Sequence, residues 1–439
     1  MFRSTLVAAC LLLSALCISA QETDKPPALI GFVTQVTSAH IFYVNGVRVV
    51  CGLNTNSGNA VTHIYEQGCP KPAAFPGEKM NIYGRLYRKR ATVDATTIQI
   101  VPSSLSDVSG SAVVDAPPRR TAKGLLVRAD GYWLLIGPTT SVRFESPLHR
   151  LADIQANVWI DYKAKLRPDG MLVASKVRIR PNVFTPEEKW KNEKFSKVDP
   201  SKVSKDQAQS GASAAIIGPR LKKIPEWKDP PMQARVTLIG EKLVPGYQKS
   251  LPNSSSSKLH FRFIVVGGIM SEAAVPLPDG TVLVGYKAIQ RLKTDPRIAA
   301  LLSFEIAAIL EHEAYRMAAL QTGLMTAGSG SILTAELLSP GIGLALFAGS
   351  RAAQNAMLRK VFGQCIRVSF QLMHDGGYDL NETVPAWWLL SSNKTQPTAK
   401  TPLNPYLAIL CQSLTAIWHA PSWAAVGQQT ATSNPSSAA

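Results

Sequence analysis

Short runs of alternating hydrophobic and polar residues dominate the first part of the chain. The runs in residues 28–103 and 121–182 are separated by Asn-Gly, Asp-Gly and Pro-Gly pairs, and the two stretches repeat them in a similar order. Alternation with a period of two predicts β-strands, and these residue pairs are typical of tight hairpin turns. We therefore expect two copies of one small antiparallel β-barrel.

The hydrophobic pattern changes after the second predicted barrel. Residues 183–232 contain many lysines and few large apolar residues, so they cannot bury a core and are expected to form a basic linker that is extended or partly disordered. Hydrophobic residues then recur at helical spacing in residues 233–420, with a few strand-like runs among them. Residues 421–439 are of low complexity and are expected to be disordered. The predicted fold class is multi-domain α+β, with two small barrels followed by a mainly helical domain that carries a small edge sheet.

Residues 1–20 have the pattern of a secretory signal peptide. Arg3 precedes the apolar run Leu6–Ile18, and small residues lead to a polar segment after Ala20. This arrangement predicts cleavage after Ala20 and export to the periplasm or the extracellular space. A lipid attached to Cys10 is the alternative for this segment, and membrane association stays open.

Four cysteines remain after such a cleavage. An even number of cysteines in an exported protein suggests disulfides. Their order along the chain favours one bridge in the first barrel and one in the helical domain. The predicted pairs are Cys51–Cys69 and Cys365–Cys411.

The chain of 439 residues carries a formal net charge of +17. Screened electrostatic forces would draw a basic exported protein to anionic lipid headgroups or wall polymers, although a soluble basic tether fits the sequence equally well. Aromatic and basic residues also lie side by side in both barrels, a combination that can bind single-stranded nucleic acid. We favour the alternative that the aromatics fill the barrel cores while the cations face water, and export argues against nucleic acid. These residues are Tyr83, Arg85, Tyr87, Arg88, Lys89 and Arg90 in the first barrel and Trp159, Tyr162, Lys163 and Lys165 in the second.

A strand-like segment and an apolar helix follow each other in the C-terminal half. The segment Ala274–Val284 contains Pro-Asp-Gly and leads to the helix Ile298–Ala308. This order resembles the zinc metallopeptidases of the HtpX and CAAX-prenyl-protease type, whose helix carries His-Glu-x-x-His. In that motif two histidines on one helical face bind zinc, and the glutamate activates the metal-bound water. Here Phe304 and Ala308 stand at the histidine positions, and only Glu305 is kept.

The third zinc ligand of the resembled family is replaced as well. Counting back from the turn Gly377–Asp379 places the family's zinc-binding glutamate at Gln364 and a nearby acidic position at Ile366, while Arg367 still matches the pattern. A glutamine amide is a weak ligand, and phenylalanine and alanine are none. The resemblance therefore implies a peptidase-like fold without a His₂Glu zinc site, and no cofactor is expected.

The replaced ligand positions favour an interpretation of this exported protein as a non-enzyme, although an enzyme stays open as an alternative. Periplasmic members of the resembled family act in envelope protein quality control. We therefore expect a scaffold in the bacterial envelope, or a domain that binds extended polypeptide without cutting it. The predicted edge strand with Val282, Leu283 and Val284 would pair with such a polypeptide by strand addition.

Two alternatives remain open. One is an active metallopeptidase with a rebuilt metal site, because Glu305 and His312 would share one face of a continuous helix, and only then would zinc be a cofactor. If that face is buried, Glu305 has to be neutral or paired, and Arg316 or Arg367 could pair with it. The other alternative is an envelope- or glycan-binding protein that acts through its barrels, whose order of strands resembles OB-like modules of bacterial exported proteins.

Overall fold

The computed structural model describes residues 26–52, 64–66, 74–87, 90–101, 107–167, 170–195, 225–267, 273–313, 351–391 and 405–418. In these parts of the chain it contains three β-sheets and eight α-helices, so the predicted mixed α+β class is confirmed. No helix within these ranges combines the length and the apolar character needed to cross a membrane. The predicted signal peptide, Cys69, Arg316 and the predicted C-terminal tail lie outside the described residues.

The first sheet has six strands: β1 (Leu29–Ser38), β2 (Ile41–Val44), β3 (Val47–Cys51), β4 (Ile64–Glu66), β5 (Lys79–Tyr87) and β6 (Thr92–Val101). They are ordered β3-β2-β1-β5-β6-β4, and β3 also pairs with β6 in parallel. Alternate residues of β3 are buried, as the alternating pattern predicted. The predicted Asn-Gly turn joins β2 to β3, and both Asn45 and Gly46 have positive φ angles. Two-residue turns of this kind match the twist of the strands that they join.

The second sheet has seven strands: β7 (Asp107–Val113), β8 (Arg119–Thr121), β9 (Gly124–Ala129), β10 (Tyr132–Ile136), β11 (Ser141–Phe144), β12 (Val158–Leu166) and β13 (Leu172–Pro181). Their order is β7-β12-β13-β10-β9-β8, and β11 lies beside β13. β7 precedes the predicted start of the second barrel at residue 121, yet it pairs with β12 over its whole length. Both sheets contain a long antiparallel hairpin, β5–β6 or β12–β13, whose last strand pairs in parallel with β3 or β11. This shared topology agrees with the internal repeat in the sequence.

The remaining elements form a helical unit around a small third sheet. Its helices are α1 (Pro186–Phe195), α2 (Pro230–Leu243), α3 (Gly246–Ser250), α4 (Tyr286–Leu292), α5 (Asp295–Leu310), α6 (Arg351–Asp375), α7 (Thr383–Ser391) and α8 (Pro405–Ser413), and its strands are β14 (Arg262–Val266), β15 (Ala274–Pro276) and β16 (Thr281–Gly285). The strand order is β14-β16-β15. On the other side of β14, Glu226 forms an isolated bridge with Val266.

Helix α5 is the centre of the helical unit. Every residue from Ile298 to Leu310 is buried, because α2, α6, α7 and β15 contact the helix on different sides. A helix that is apolar on all faces is typical of such a central position. Phe32 of β1 and Phe184, which follows β13, belong to the same hydrophobic core. The helical unit therefore shares its core with both larger sheets.

The first part of the predicted linker is folded. Phe184 is buried, and Thr185 begins α1 with a reciprocal pair of hydrogen bonds: Glu188 N donates to Thr185 Oγ1, and Thr185 N donates to Glu188 Oε2. This capping box, with Pro186 at the first helical position, is a recognised start signal for a helix. The prediction of an extended chain is therefore wrong for residues 183–195. Residues 196–224 of the predicted linker lie outside the described residues.

Candidate functional site

Apolar packing fills the two positions that bind zinc in the resembled family. Phe304 and Ala308 lie one turn apart on α5, and both are buried. The centroid of the Phe304 ring is 5.0 Å from the ring centroids of Phe362 on α6 and Trp387 on α7. Tilted and edge-to-face contacts at such distances are favourable. Aromatic side chains of the chain itself therefore occupy the space beside α5, and neither Phe304 nor Ala308 has an atom that could bind zinc.

Gln364, at the third ligand position, connects α6 with the end of α5 and with the second sheet. Its Nε2 donates hydrogen bonds to Glu311 Oε2 at 2.8 Å and to the carbonyl oxygen of Ser111 on β7 at 2.7 Å. Glu311 Oε2 also accepts a hydrogen bond from the backbone N–H of Val113 at 3.1 Å. The amide of Gln364 thus bridges two parts of the fold. Phe304, Ala308 and Gln364 together do not fit a zinc ion.

Three buried glutamates lie around Cys365, next to this bridge. Glu305, Glu311 and Glu313 are each no more than 3% exposed, and Cys365 is fully buried. Burial, together with the charges of the three glutamates, raises the pKa of the Cys365 thiol well above its usual range. This thiol is therefore protonated and is not poised as a nucleophile.

Two of these glutamates have raised pKa values. Burial raises the pKa of Glu305 to about 8. Burial and the charge of Asp130 raise the pKa of Glu311 well above its usual value, despite the hydrogen bonds that Glu311 accepts. Glu305 Oε2 has no hydrogen-bond partner among the described residues. Glu305 is therefore buried and mostly protonated at neutral pH.

His312 does not share a helical face with Glu305. Helix α5 ends two residues before His312, which has a positive φ angle of 56°. Its ring packs between Trp159 and Phe184, with centroid separations of 5.0 and 4.7 Å, and its Nδ1 lies 3.2 Å from Glu188 Oε1. The predicted shared helical face of Glu305 and His312 is therefore wrong, because the helix stops before it reaches the histidine. In the parts of the chain that the structure describes, no three His, Cys, Asp or Glu side chains are placed to hold a metal ion.

Arg367 pairs with Asp130 of the second sheet and not with Glu305. Its Nη2 lies 2.6 and 2.7 Å from the two carboxylate oxygens of Asp130, and its Nε lies 3.1 Å from Oδ1. The Tyr162 hydroxyl donates to the same carboxylate, and the Tyr132 ring centroid lies 5.3 Å from the guanidinium carbon of Arg367. Charge-assisted hydrogen bonds with this geometry are among the strong ones in proteins.

A turn and a second ion-pair network complete the contact between the second sheet and α6. Asp130 and Gly131 form the turn between β9 and β10 with positive φ angles, and a Cβ atom at Gly131 would collide with the backbone of Arg367. Nearby, Arg128 Nε lies 2.6 Å from Asp115 Oδ1, and Arg128 Nη2 lies 2.7 Å from Asp375 Oδ2 at the end of α6. The tip of the β9–β10 hairpin therefore rests directly on α6.

Strand β16, which contains Val282, Leu283 and Val284, is not an edge strand. It pairs with β14 in parallel on one side and with β15 in antiparallel on the other. All of its residues are buried. A strand that is paired on both sides has no backbone groups left for an added strand. The predicted peptide-binding edge is therefore wrong at these residues.

The cysteines differ from the predicted pairing in one case. Cys365 and Cys411 are free, buried thiols, so the predicted bridge between them is wrong. The Cys365 thiol lies near Glu305 of α5 and the two glutamates that follow this helix, whereas the backbone of Cys411 lies beside Gly77. A disulfide needs a specific geometry between the two thiols, which their order along the chain cannot establish. Cys51 is disulfide-bonded, and its predicted pairing with Cys69 stays a prediction.

The basic and aromatic residues of the second sheet separate as expected. Trp159 and Tyr162 are buried at 2% and 4% exposure. Lys163 and Lys165 on the same strand are exposed. In this sheet the aromatics fill the interior while the lysines face water, as the favoured interpretation predicts. In the first sheet Arg85 and Arg90 are exposed, but Tyr83 and Tyr87 are only half-buried, so the interpretation holds there for the cations alone. Residues 88–89 of the first set lie outside the described residues.

Comparison with known proteins adds no family assignment. No protein-family model matches the chain, and no curated protein matches it in sequence. The likeness to zinc peptidases rests on the strand-like segment and helix in residues 274–308 and on the turn at Gly377–Asp379. A likeness of fold would not establish an activity even where it held.

Replacing Gln364 by leucine is expected to lower the free energy of unfolding by about 1 to 3 kcal/mol. The change removes the side-chain amide that donates hydrogen bonds to the Glu311 carboxylate and to the Ser111 carbonyl in the buried bridge. Chemical denaturation of the purified protein measures the effect. Gln290→Leu, at an exposed position of α4, is the matched control and should change the free energy by less than about 0.5 kcal/mol. Equal effects of the two substitutions would contradict the role given to the bridge.

Proposed function

We propose that this protein is a non-catalytic scaffold whose helical unit is a degenerate relative of zinc peptidases. The bridge at Gln364 carries the proposal. A zinc peptidase needs a carboxylate that faces the metal at this position. Here an amide at the same position is hydrogen-bonded to β7 and to Glu311. The region of the lost ligands thus acts as a joint between the helices and the second sheet.

The other contacts at this joint support a fixed arrangement. The Arg367–Asp130 pair, the Arg128 network and the ring of His312 all connect the helical unit, or the segment after α5, to the second sheet. Satisfied polar networks in a buried interface rigidify the elements that they join. A scaffold needs such a fixed orientation. Polypeptide binding along β16 is not part of the proposal, because that strand is fully paired.

We infer that both larger sheets are closed, OB-like barrels of an exported protein. In the first sheet β3 pairs with β2 and with β6, which supports closure. In the second, a bridge between Val114 and Ala129 links the end of β7 to β9. The disulfide-bonded state of Cys51 supports an oxidising compartment such as the periplasm. Because the periplasm is part of the bacterial envelope, we propose that the scaffold acts in the envelope.

Metal content and peptidase activity test the absence of catalysis. The purified mature chain is expected to contain less than about a tenth of an equivalent of zinc, because its ligand positions hold no zinc-binding set. It should also leave casein intact. Elemental mass spectrometry and a casein-cleavage assay measure the two properties, with Glu305→Ala and His312→Ala as controls. Near-stoichiometric zinc that is lost in both variants, together with cleavage, would overturn the proposal in favour of a metallopeptidase.

A further inference from the structure

A basic groove lies on the second sheet. It has a volume of about 330 Å³ and is open to solvent. Arg143, Lys163, Lys176 and Arg178 line it on strands β11, β12 and β13, and Asp161 is its one acidic lining residue. The four cations are exposed. Concave basic surfaces concentrate anions more strongly than isolated charges do.

The strand register places like charges opposite each other in this groove. Lys163 lies directly opposite Lys176 in the antiparallel β12–β13 pair, and Arg143 lies directly opposite Arg178 in the parallel β11–β13 pair. Like charges at facing positions of neighbouring strands destabilise a sheet. Any polar residues would serve on a solvent face, so the fold itself does not require two such pairs. Asp161 and Glu145 offset the charge of Arg178, so Lys163–Lys176 is the uncompensated pair, and an anionic ligand would turn its repulsion into a favourable interaction.

Acidic residues neutralise only one of the four cations, Arg178, whose Nη1 lies 3.4 Å from Glu145 Oε1. Asp161 Oδ2 lies 2.6 Å from Arg178 Nη2, and the other carboxylate oxygen accepts a hydrogen bond from Ser111. Arg143, Lys163 and Lys176 have no ion-pair partner among the described residues. The three cations are therefore available to a ligand.

The shape of the groove favours a polysaccharide over single-stranded nucleic acid or a membrane. Binding sites for single strands combine basic residues with exposed aromatic rings on which the bases stack. The aromatic residue in this groove, Tyr162, is 4% exposed, and its hydroxyl is bonded to Asp130. Ser109 and Gly110 on β7 leave the rest of the groove shallow and polar. A flat lipid surface would not enter a concave site, whereas a linear chain with hydroxyl and acidic groups would.

We propose that this groove binds an acidic polysaccharide. Lys163 and Lys176 contact one carboxylate or sulfate group, and Arg143 contacts a second. Arg143 lies opposite Arg178, which follows Lys176 by two residues on β13, so the two anionic groups lie about 7 Å apart along the strand direction. This activity is separate from the scaffold role and does not depend on the absence of zinc.

Binding to fluorescently labelled heparin and polygalacturonate tests the proposal on the full mature chain. Lys163→Gln/Lys176→Gln is expected to weaken binding of at least one glycan by about tenfold or more at moderate salt. The charge-matched control is Lys123→Gln/Lys249→Gln, which removes two exposed lysines outside the groove and should change the affinity less than about twofold. Thermal unfolding should show that the groove variant is no less stable than the unchanged protein, because the substitutions remove a repulsion.

Three results would overturn the proposal. The first is no binding to either glycan, and the second is an equal loss in both double variants, which would indicate non-specific attraction to the net charge. The third is tighter, groove-dependent binding to an oligothymidylate or to phosphatidylglycerol vesicles. In that case the groove would recognise nucleic acid or lipid headgroups and not a polysaccharide.

Discussion

Replacing Arg367 by methionine is expected to lower the free energy of unfolding by about 3 to 5 kcal/mol. The Arg367 guanidinium is the cationic partner of the Asp130 carboxylate, whose side chain is 1% exposed. Without it, the carboxylate keeps the hydrogen bond from Tyr162 but loses its compensating charge. A buried charge without a partner costs several times more than a broken surface pair, because its hydration has already been given up.

Urea denaturation at neutral pH measures this effect, and a surface pair supplies the control. Arg235→Met breaks the contact of Arg235 Nη2 with Asp295 Oδ1, whose side chains are 39% and 54% exposed, and should cost less than about 1 kcal/mol. The double variant Arg367→Met/Asp130→Asn is expected to recover part of the loss, because it removes the unpaired charge. If Arg367→Met costs no more than Arg235→Met, the buried pair does not hold the second sheet on α6.

The sequence predicted the local features of this joint but not its contacts. The Asp-Gly turn at Asp130–Gly131 and the alternating strands around it depend on residues that are close neighbours in the chain. The partner of Asp130 lies 237 positions away, on a helix. A single sequence contains no periodic signal for such a pair. The same holds for Gln364 and Ser111, which are 253 positions apart.

For two other predictions that the structure contradicts, the sequence already carried a signal for the observed structure. Strand β16 is an unbroken apolar run around Val282–Val284, and such runs are typical of strands covered on both faces, not of exposed edges. The start of α1 carries the pattern Thr-Pro-x-Glu at Thr185–Glu188, which favours a helix start over an extended linker. The position of His312 had no such signal, because the apolar pattern of α5 does not mark where the helix ends.

The stability of the protein is expected to fall as the pH rises through the neutral range, and Glu305→Gln should remove part of this slope. The pKa of Glu305 is raised by burial from its usual value of 4.5 to about 8. Between these two values the folded state keeps a proton that the unfolded state has released. Stability then decreases with increasing pH, by about 1.4 kcal/mol per pH unit for this one group. Below pH 4.5 the contribution of Glu305 to the free energy of unfolding is constant. Above about pH 8 the full destabilisation caused by the buried, charged carboxylate is present.

The measurement is the free energy of unfolding of both proteins at pH 5, 7 and 9. Glutamine has nearly the same shape as a protonated glutamate, so the two proteins should differ least at pH 5. The variant should be more stable at pH 9, by several kcal/mol. Glu311 titrates in the same direction in both proteins, so the comparison isolates the share of Glu305. Glu241→Gln, at an exposed position of α2, is the control and should leave the pH dependence unchanged.

The sign of this difference also separates the scaffold from the metallopeptidase. A metal ion bound beside Glu305 would favour the charged carboxylate and lower the pKa of Glu305 below its usual value. The contribution of Glu305 would then be lost as the pH falls, and Glu305→Gln would be less stable than the unchanged protein at neutral and high pH. If the free energies of unfolding of the two proteins changed with pH in parallel, Glu305 would be solvated in both the folded and the unfolded state. Only a variant whose stability relative to the unchanged protein increases as the pH rises agrees with a protonated glutamate enclosed by the apolar side chains around α5.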